Sequence, residues 1–191
     1  MSERSNGGLT PFGLGWPNVI SLGRLAVAPV LVVLIAARET ALSYVAAAVF
    51  AVAAVTDGLD GYLARRYEAK TRTGQWLDPL ADKVLVAAPV ITLAIAGGFP
   101  GWAAAIIIVR EVGVSLLRIY LGMRRVGMPA TSLAKVKTTF QLVAITLYIL
   151  PLPDALSGVR FAVLIVALAL TVYTGLQYAA GAGRLARADS R

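Results

Sequence analysis

The sequence predicts an all-α, polytopic membrane protein, with six transmembrane helices and a short N-terminal interfacial segment. Three observations lead there. Of 191 residues, 58% are hydrophobic and only 15% charged, more apolar surface than a soluble domain of this size hides. The apolar residues gather into six runs, each near the roughly twenty residues a helix needs to cross a bilayer. The basic residues, 18 Lys plus Arg against 10 Asp plus Glu, fall mainly in alternate connections between those runs. Backbone groups left unpaired in lipid are costly, so spanning runs are expected to be helices.

Residues 1–16 are Gly-rich and carry Leu9, Phe12, Leu14 and Trp16. They are expected to form a flexible lead into an interfacial segment. A cleaved signal peptide is not expected, because Arg4 is the only basic residue before Arg24, which itself interrupts the first apolar run. That run covers residues 19–37 and contains Pro29, where a kink is expected. The second covers 42–63. The third, 84–99, contains Pro89; it is short as an apolar run and is expected to extend back through Asp82 into a polar cavity. The fourth covers 102–121. The fifth, 140–152, has a polar lead-in through Thr138, and the sixth covers 159–179. The expected organisation is one transmembrane domain over 17–180 and a basic tail over 181–191.

Charge predicts the orientation. Arg65, Arg66, Lys70 and Arg72 follow the second run, and Arg124, Arg125, Lys135 and Lys137 follow the fourth. Arg184, Arg187 and Arg191 close the chain, whereas the alternate connections hold only Arg38 and Arg160. The positive-inside rule then puts both termini and these two connections in the cytoplasm. Basic residues scattered between apolar runs do not make a nucleic-acid surface. Trp76, Trp102 and Tyr178, near expected helix ends, suit interfacial anchors. Alanines at 46–48, 87–88 and 103–105 suit close helix packing.

Cysteine and histidine are absent. This excludes disulfides, thiolate nucleophiles, imidazole bases and His/Cys metal sites. A catalytic base must be a carboxylate, Lys or Tyr, and a bound metal must be a hard cation such as Mg²⁺ or Mn²⁺.

Against that background, four carboxylates stand close together. Asp57 and Asp60, at i and i+3, share a helix face, with Ala64 completing it at i+7. Asp78 and Asp82, at i and i+4, flank Pro79, a residue favoured in a first helical turn. Each like-charged pair would repel by roughly 3 kcal/mol at ~5 Å and an effective dielectric of ~20. Two divalent ions would remove that penalty and suit an in-line phosphoryl displacement. A plainer reading stands beside this one: Asp78 as an N-cap, and Asp57 and Asp60 paired with Arg65 and Arg66. Gly61 and Gly74 either let a ligand diphosphate approach the backbone or let helices pack closely.

The spacing D-x2-D-G-x2-A-R-x8-G-x3-D-x3-D from Asp57 to Asp82 resembles the signature of the CDP-alcohol phosphatidyltransferases at every specified position. The resemblance implies transfer of a phosphatidyl group from a CDP-linked lipid to an alcohol, with CMP leaving. It implies two Mg²⁺ (or Mn²⁺) ions on Asp57, Asp60, Asp78 and Asp82, with Asp82 also the general base. It implies that Gly61, Arg65, Gly74 and Thr71 or Thr73 hold CDP-diacylglycerol, and that Asn18 and Arg24 contact substrate at the entry to the first helix. Inside the signature, the ligand role is the stronger one for the two glycines.

Residues 54–87, Val109-Arg110-Glu111 with Arg118, and the stretch from Ala134 to Gln141 are similar to the phosphatidylglycerophosphate synthase branch, a likeness covering 17–178. This branch implies sn-glycerol 3-phosphate as acceptor, a homodimer, and the cell membrane with the site facing the cytoplasm. Arg110, Arg118, Lys135 and Lys137 are the cations offered for the acceptor phosphate. The alternative for them is that Arg110 pairs with Glu111 while the lysines set topology. Rival functions are a phosphatidylinositol-phosphate synthase, a metal-ion transporter, and a non-catalytic lipid-binding relative. Transport is disfavoured because the acidic groups lie at one side only, and the last because Asp82 is intact.

Overall fold

The computed structural model describes the backbone of residues 16–67, 74–123 and 132–189, and the side chains of 21–56, 80–122 and 133–183. Among these residues there are six α-helices and no strand: α1 (Trp16–Ala36), α2 (Thr40–Tyr67), α3 (Gly74–Ile95), α4 (Gly101–Met123), α5 (Ser132–Ile149) and α6 (Ser157–Asp189). A 3₁₀ turn, Asp154–Leu156, precedes α6. The expected N-terminal segment lies outside the described residues, except for Trp16, which opens α1.

The chain divides into two compact units, Met1–Pro89 and Val90–Arg191, with the boundary inside α3. In the first, α1 packs on α2. Ala28, Leu31 and Ile35 of α1 and Ala46, Ala47 and Phe50 of α2 are buried, spaced as one face of each helix. Ala46 and Phe50 are fully enclosed; the alanine keeps the helices close and the phenylalanine fills the space beside it. The turn between them passes through Arg38 at φ 55°, a left-handed end usually given to glycine.

In the second unit, α4 and α5 both pack on α6. The buried stripe of α6 runs through Leu164, Ala167, Leu168, Thr171, Thr174 and Tyr178. Its two threonine hydroxyls are satisfied within the helix: Thr171 Oγ1 donates to the Ala167 carbonyl at 2.6 Å and Thr174 Oγ1 to that of Leu170 at 2.7 Å. At the end of α3, Gly97 takes φ 77°. The Gly98 and Gly97 amides close on the carbonyls of Leu93 and Ala94 at 3.0 and 3.1 Å, the Schellman arrangement that stops a helix. Phe99 then packs edge-on to Tyr148 at 4.7 Å.

Apolar residues face outward and several polar ones face in. Val33, Val52, Val109, Leu116 and Leu176 are exposed, while Ser21, Arg24, Lys137, Gln141 and Thr174 are buried. That arrangement is the reverse of a water-facing surface and is consistent with a lipid surround. One stretch among the described residues, Asp154–Gly183, is long and apolar enough by itself to cross a membrane. The most apolar window of this stretch has a mean hydropathy of 2.2, and 22% of that window is buried. Ser21–Ala36 and Thr40–Thr56 are shorter apolar helices. α4 carries Arg110, Glu111 and Arg118 along its length and α5 carries Lys135 and Lys137, so neither reads as uniformly apolar.

Several helix ends depart from the apolar runs. α2 continues through the signature to Tyr67 and is about 42 Å long at ~1.5 Å per residue. α3 begins at Gly74, ten residues before its apolar run. Pro79 is therefore its sixth residue and Asp78 its fifth, and neither lies in a first turn or cap as expected. Trp76, Leu77, Leu80, Ala81 and Val84 keep a helical period through the polar window, which carries the helix backward. α5 starts at Ser132 and stops at Ile149, just before Leu150 and Pro151, as the restriction on residues preceding proline favours. Pro29 and Pro89 both lie inside helices.

Candidate active site

The first unit carries the signature on two helices. Asp57, Asp60, Gly61, Ala64 and Arg65 lie on α2, with Gly74, Asp78 and Asp82 on α3. The helical backbone puts Asp57 and Asp60 one turn apart, and Asp78 and Asp82 likewise, so each pair shares a face. The side chains of Asn18, Asp57, Asp60, Gly61, Arg65, Gly74 and Asp78 lie outside those described, and Thr71 and Thr73 lie outside the described residues altogether.

Asp82 is the member of the signature whose side chain is described. It is 46% exposed, open enough for a ligand to reach, and its Oδ1 accepts a hydrogen bond from Nη1 of Arg24 on α1. Arg24 is buried within an otherwise apolar stretch of helix. A buried guanidinium requires a carboxylate partner, and here it finds one 58 residues away. The pair ties α1 to α3 and orients Asp82. The resemblance offers Arg24 as a substrate contact at the entry to α1; in the structure it pairs with Asp82, and its position in an apolar run is the signal that it needs an acid. The donor set of the signature is all carboxylate oxygen, which fits a hard divalent cation and no softer metal.

The second unit gathers most of the other cations. Glu111 Oε1 accepts from Nη1 of the adjacent Arg110 at 2.9 Å and from Nζ of Lys137 on α5. Arg110 Nη2 donates to Thr174 Oγ1 on α6 at 3.0 Å. Lys137 is 3% exposed, so the acid is needed to keep its charge in place. Removing one charged partner of a buried ion pair typically costs ~3–5 kcal/mol. Gly175 lies against this cluster: a Cβ there would sit 3.3 Å from Arg110 Cγ. Arg118, about 12 Å further along α4 at ~1.5 Å per residue, is exposed. It donates to the Tyr178 hydroxyl at 2.7 Å, with its Cζ 4.8 Å from the centre of that ring. Lys135 is exposed and makes no ion pair among the described residues. The structure thus brings Arg110 and Lys137 together through Glu111, and sets Arg118 with Tyr178.

Two features differ from expectation. Tyr178 is 3% exposed and takes a hydrogen bond from Arg118, so it is an internal partner and not an interfacial anchor. Glu111, expected only as a possible partner for Arg110, serves two cations at once. Trp102 is half-exposed, as an interfacial residue would be.

Comparison of the sequence with known proteins identifies its family. A sequence model of the CDP-alcohol phosphatidyltransferase family matches residues 14–173. A Mycobacterium tuberculosis protein named probable phosphatidylglycerophosphate synthase is 40% identical over 170 residues, covering 87% of this chain and 81% of its own. Two relatives are named CDP-diacylglycerol–glycerol-3-phosphate 3-phosphatidyltransferase. The one from Shigella flexneri is 37% identical over 173 residues, covering 87% of this chain and 93% of its own. The one from Rickettsia bellii is 34% identical over 166 residues, covering 85% and 92%. With the full signature on α2 and α3 and a family match across most of its length, the chain belongs to the CDP-alcohol phosphatidyltransferases.

Proposed function

We propose that this protein transfers the phosphatidyl group of CDP-diacylglycerol to sn-glycerol 3-phosphate, giving phosphatidylglycerophosphate and CMP. The observation that carries the proposal is the complete Asp57–Asp82 signature in a chain 37% identical, over 87% of its length, to a relative named for that reaction. Asp57, Asp60, Asp78 and Asp82 would hold two Mg²⁺ or Mn²⁺ ions, which when bound neutralise charge on the diphosphate. Asn18, Gly61, Arg65, Gly74 and Thr71 or Thr73 bind CDP-diacylglycerol. Asp82 takes the proton of the acceptor hydroxyl. The hydroxyl oxygen forms a bond to the phosphorus bearing diacylglycerol while the bond from that phosphorus to the CMP oxygen breaks. Arg24 keeps Asp82 turned for this work. Arg110, Arg118, Lys135 and Lys137 supply positive charge for the acceptor phosphate.

If the transfer is direct, CMP release should require both an acceptor alcohol phosphate and a divalent ion. CMP release at full rate without acceptor, with phosphatidate as the product, would mean hydrolysis and would sink the proposal.

In this proposal all six helices cross the cell membrane, the active site faces the cytoplasm, and two copies associate. The outward apolar surface and the alternation of basic connections support the placement. Single cysteines at Ser5, Gly98 and Ser190 test it in a chain that has none of its own. Gly98 tolerates a side chain, since its Cβ would meet no atom closer than 3.8 Å. A membrane-impermeant thiol reagent added outside intact cells should label Gly98→Cys alone. Labelling of Ser5→Cys or Ser190→Cys would reverse the orientation.

A further inference from the structure

We infer that Glu111, with Thr174 and Gly175, is a positioning device that sets Arg110 and Lys137 for a phosphate dianion. The inference rests on the acceptor reading above and deepens it.

The argument begins with a conflict. Arg110 and Lys137 are like charges, both largely buried, and left alone they would move apart or seek water. One oxygen of Glu111 holds both. The adjacent position of Glu111 on α4 and the reach of Lys137 from α5 make this a junction between two helices.

Arg110 is constrained again from α6. The single hydroxyl proton of Thr174 faces the Leu170 and Thr171 carbonyls of its own helix, at 2.7 and 3.2 Å, so its oxygen turns a lone pair toward Nη2 of Arg110, 3.0 Å away. The next residue, Gly175, leaves the space that the Arg110 stem occupies; a Cβ would press on Cγ at 3.3 Å. An acid, a hydroxyl and a missing side chain from two helices therefore fix one guanidinium.

The cluster is not closed upon itself. Two cations and one anion leave a net charge of +1. Lys137 has three N–H donors and Arg110 has five, more than Glu111 and Thr174 take up. Arg110 Nε is buried with no hydrogen-bond partner. Surplus positive charge with unused donors, held rigidly, suits an oxyanion better than a self-sufficient structural ion pair.

The experiment compares glycerol 3-phosphate KM, CDP-diacylglycerol KM and thermal unfolding midpoint in the full-length protein and in Glu111→Gln, Glu111→Asp, Thr174→Val, Gly175→Ala and Arg118→Ala. Glu111→Gln raises the local charge from +1 to +2. Charge alone would then tighten the acceptor, whereas lost positioning weakens it. Positioning predicts that KM for glycerol 3-phosphate rises on the order of tenfold or more, that Glu111→Asp is intermediate, and that KM for CDP-diacylglycerol is unchanged. Thr174→Val and Gly175→Ala should shift the same KM in the same direction, with midpoints near the parent. They decide the matter if Glu111→Gln fails to fold.

An acceptor KM that stays constant or falls in the Glu111, Thr174 and Gly175 variants, while Arg118→Ala raises it, overturns the positioning inference and leaves the acceptor reading standing. Constant acceptor KM in every variant, Arg118→Ala included, removes both.

Discussion

Asp57→Asn and Asp78→Asn should each lower CMP release on the order of 10²–10³-fold or more, the loss expected when a site is deprived of one preorganised charge-stabilising group. Asn keeps the shape of Asp and removes its unit charge, so a loss reports on electrostatics and not on packing. Both residues lie on helices whose backbone places them a turn from a second carboxylate, Asp60 on α2 and Asp82 on α3. Without cations, four such groups repel; with cations, each removed charge weakens the hold on an ion. Several kcal/mol of transition-state stabilisation are at stake, and each ~1.4 kcal/mol is tenfold in rate. By the same argument the wild-type enzyme should depend on an added hard divalent ion. Chelator-treated protein should be inactive and should recover with Mg²⁺. Full CMP release after chelation would remove the metal from the account.

Asp82→Asn should separate turnover from binding. A positioned general base contributes about 10²–10⁴-fold, so kcat should fall by that much while affinity for CDP-diacylglycerol changes far less. Arg24 complicates the result in a measurable way. Its buried guanidinium loses an anionic partner in this variant, so the unfolding midpoint should drop as well. The drop should be smaller than for a wholly enclosed ion pair, since Asp82 is 46% exposed. Equal losses of affinity and turnover would make Asp82 a ligand and not the base.

How much of this was legible beforehand can be judged residue by residue. All six helices are visible in the sequence because each has an apolar run, and a buried or lipid-facing side chain must be apolar unless it has a partner. Their ends were less visible because polar residues can lie on an inward face. Lys137 belongs to the buried side of α5, yet it reads as part of a polar lead-in. The third helix is expected to reach back only through Asp82, with Pro79 in a first turn, although α3 already runs from Gly74. Tyr178 shows the cost of misjudging an end. With α6 expected to stop at 179 it belonged at an interface, but α6 runs to Asp189, and the ring is enclosed beside Arg118.

The site divides along the same line. The Asp57–Asp82 spacing is local, so its presence on two helices could be read from the chain directly. The pairings of Arg24 with Asp82 and of Lys137 with Glu111 join residues 58 and 26 positions apart. No period or spacing reports on such distances. The requirement that a buried charge find an opposite one was legible; the identity of the partner was not.

The most direct test of the whole account is an acceptor panel. Purified protein with CDP-diacylglycerol and Mg²⁺ would be given glycerol 3-phosphate, inositol 1-phosphate, inositol or serine, with CMP release followed in each case. The account predicts release with glycerol 3-phosphate and little with the two acceptors that lack a phosphate, inositol and serine. Release with inositol 1-phosphate alone would contradict the acceptor assignment, and no release with any acceptor would contradict the transferase itself.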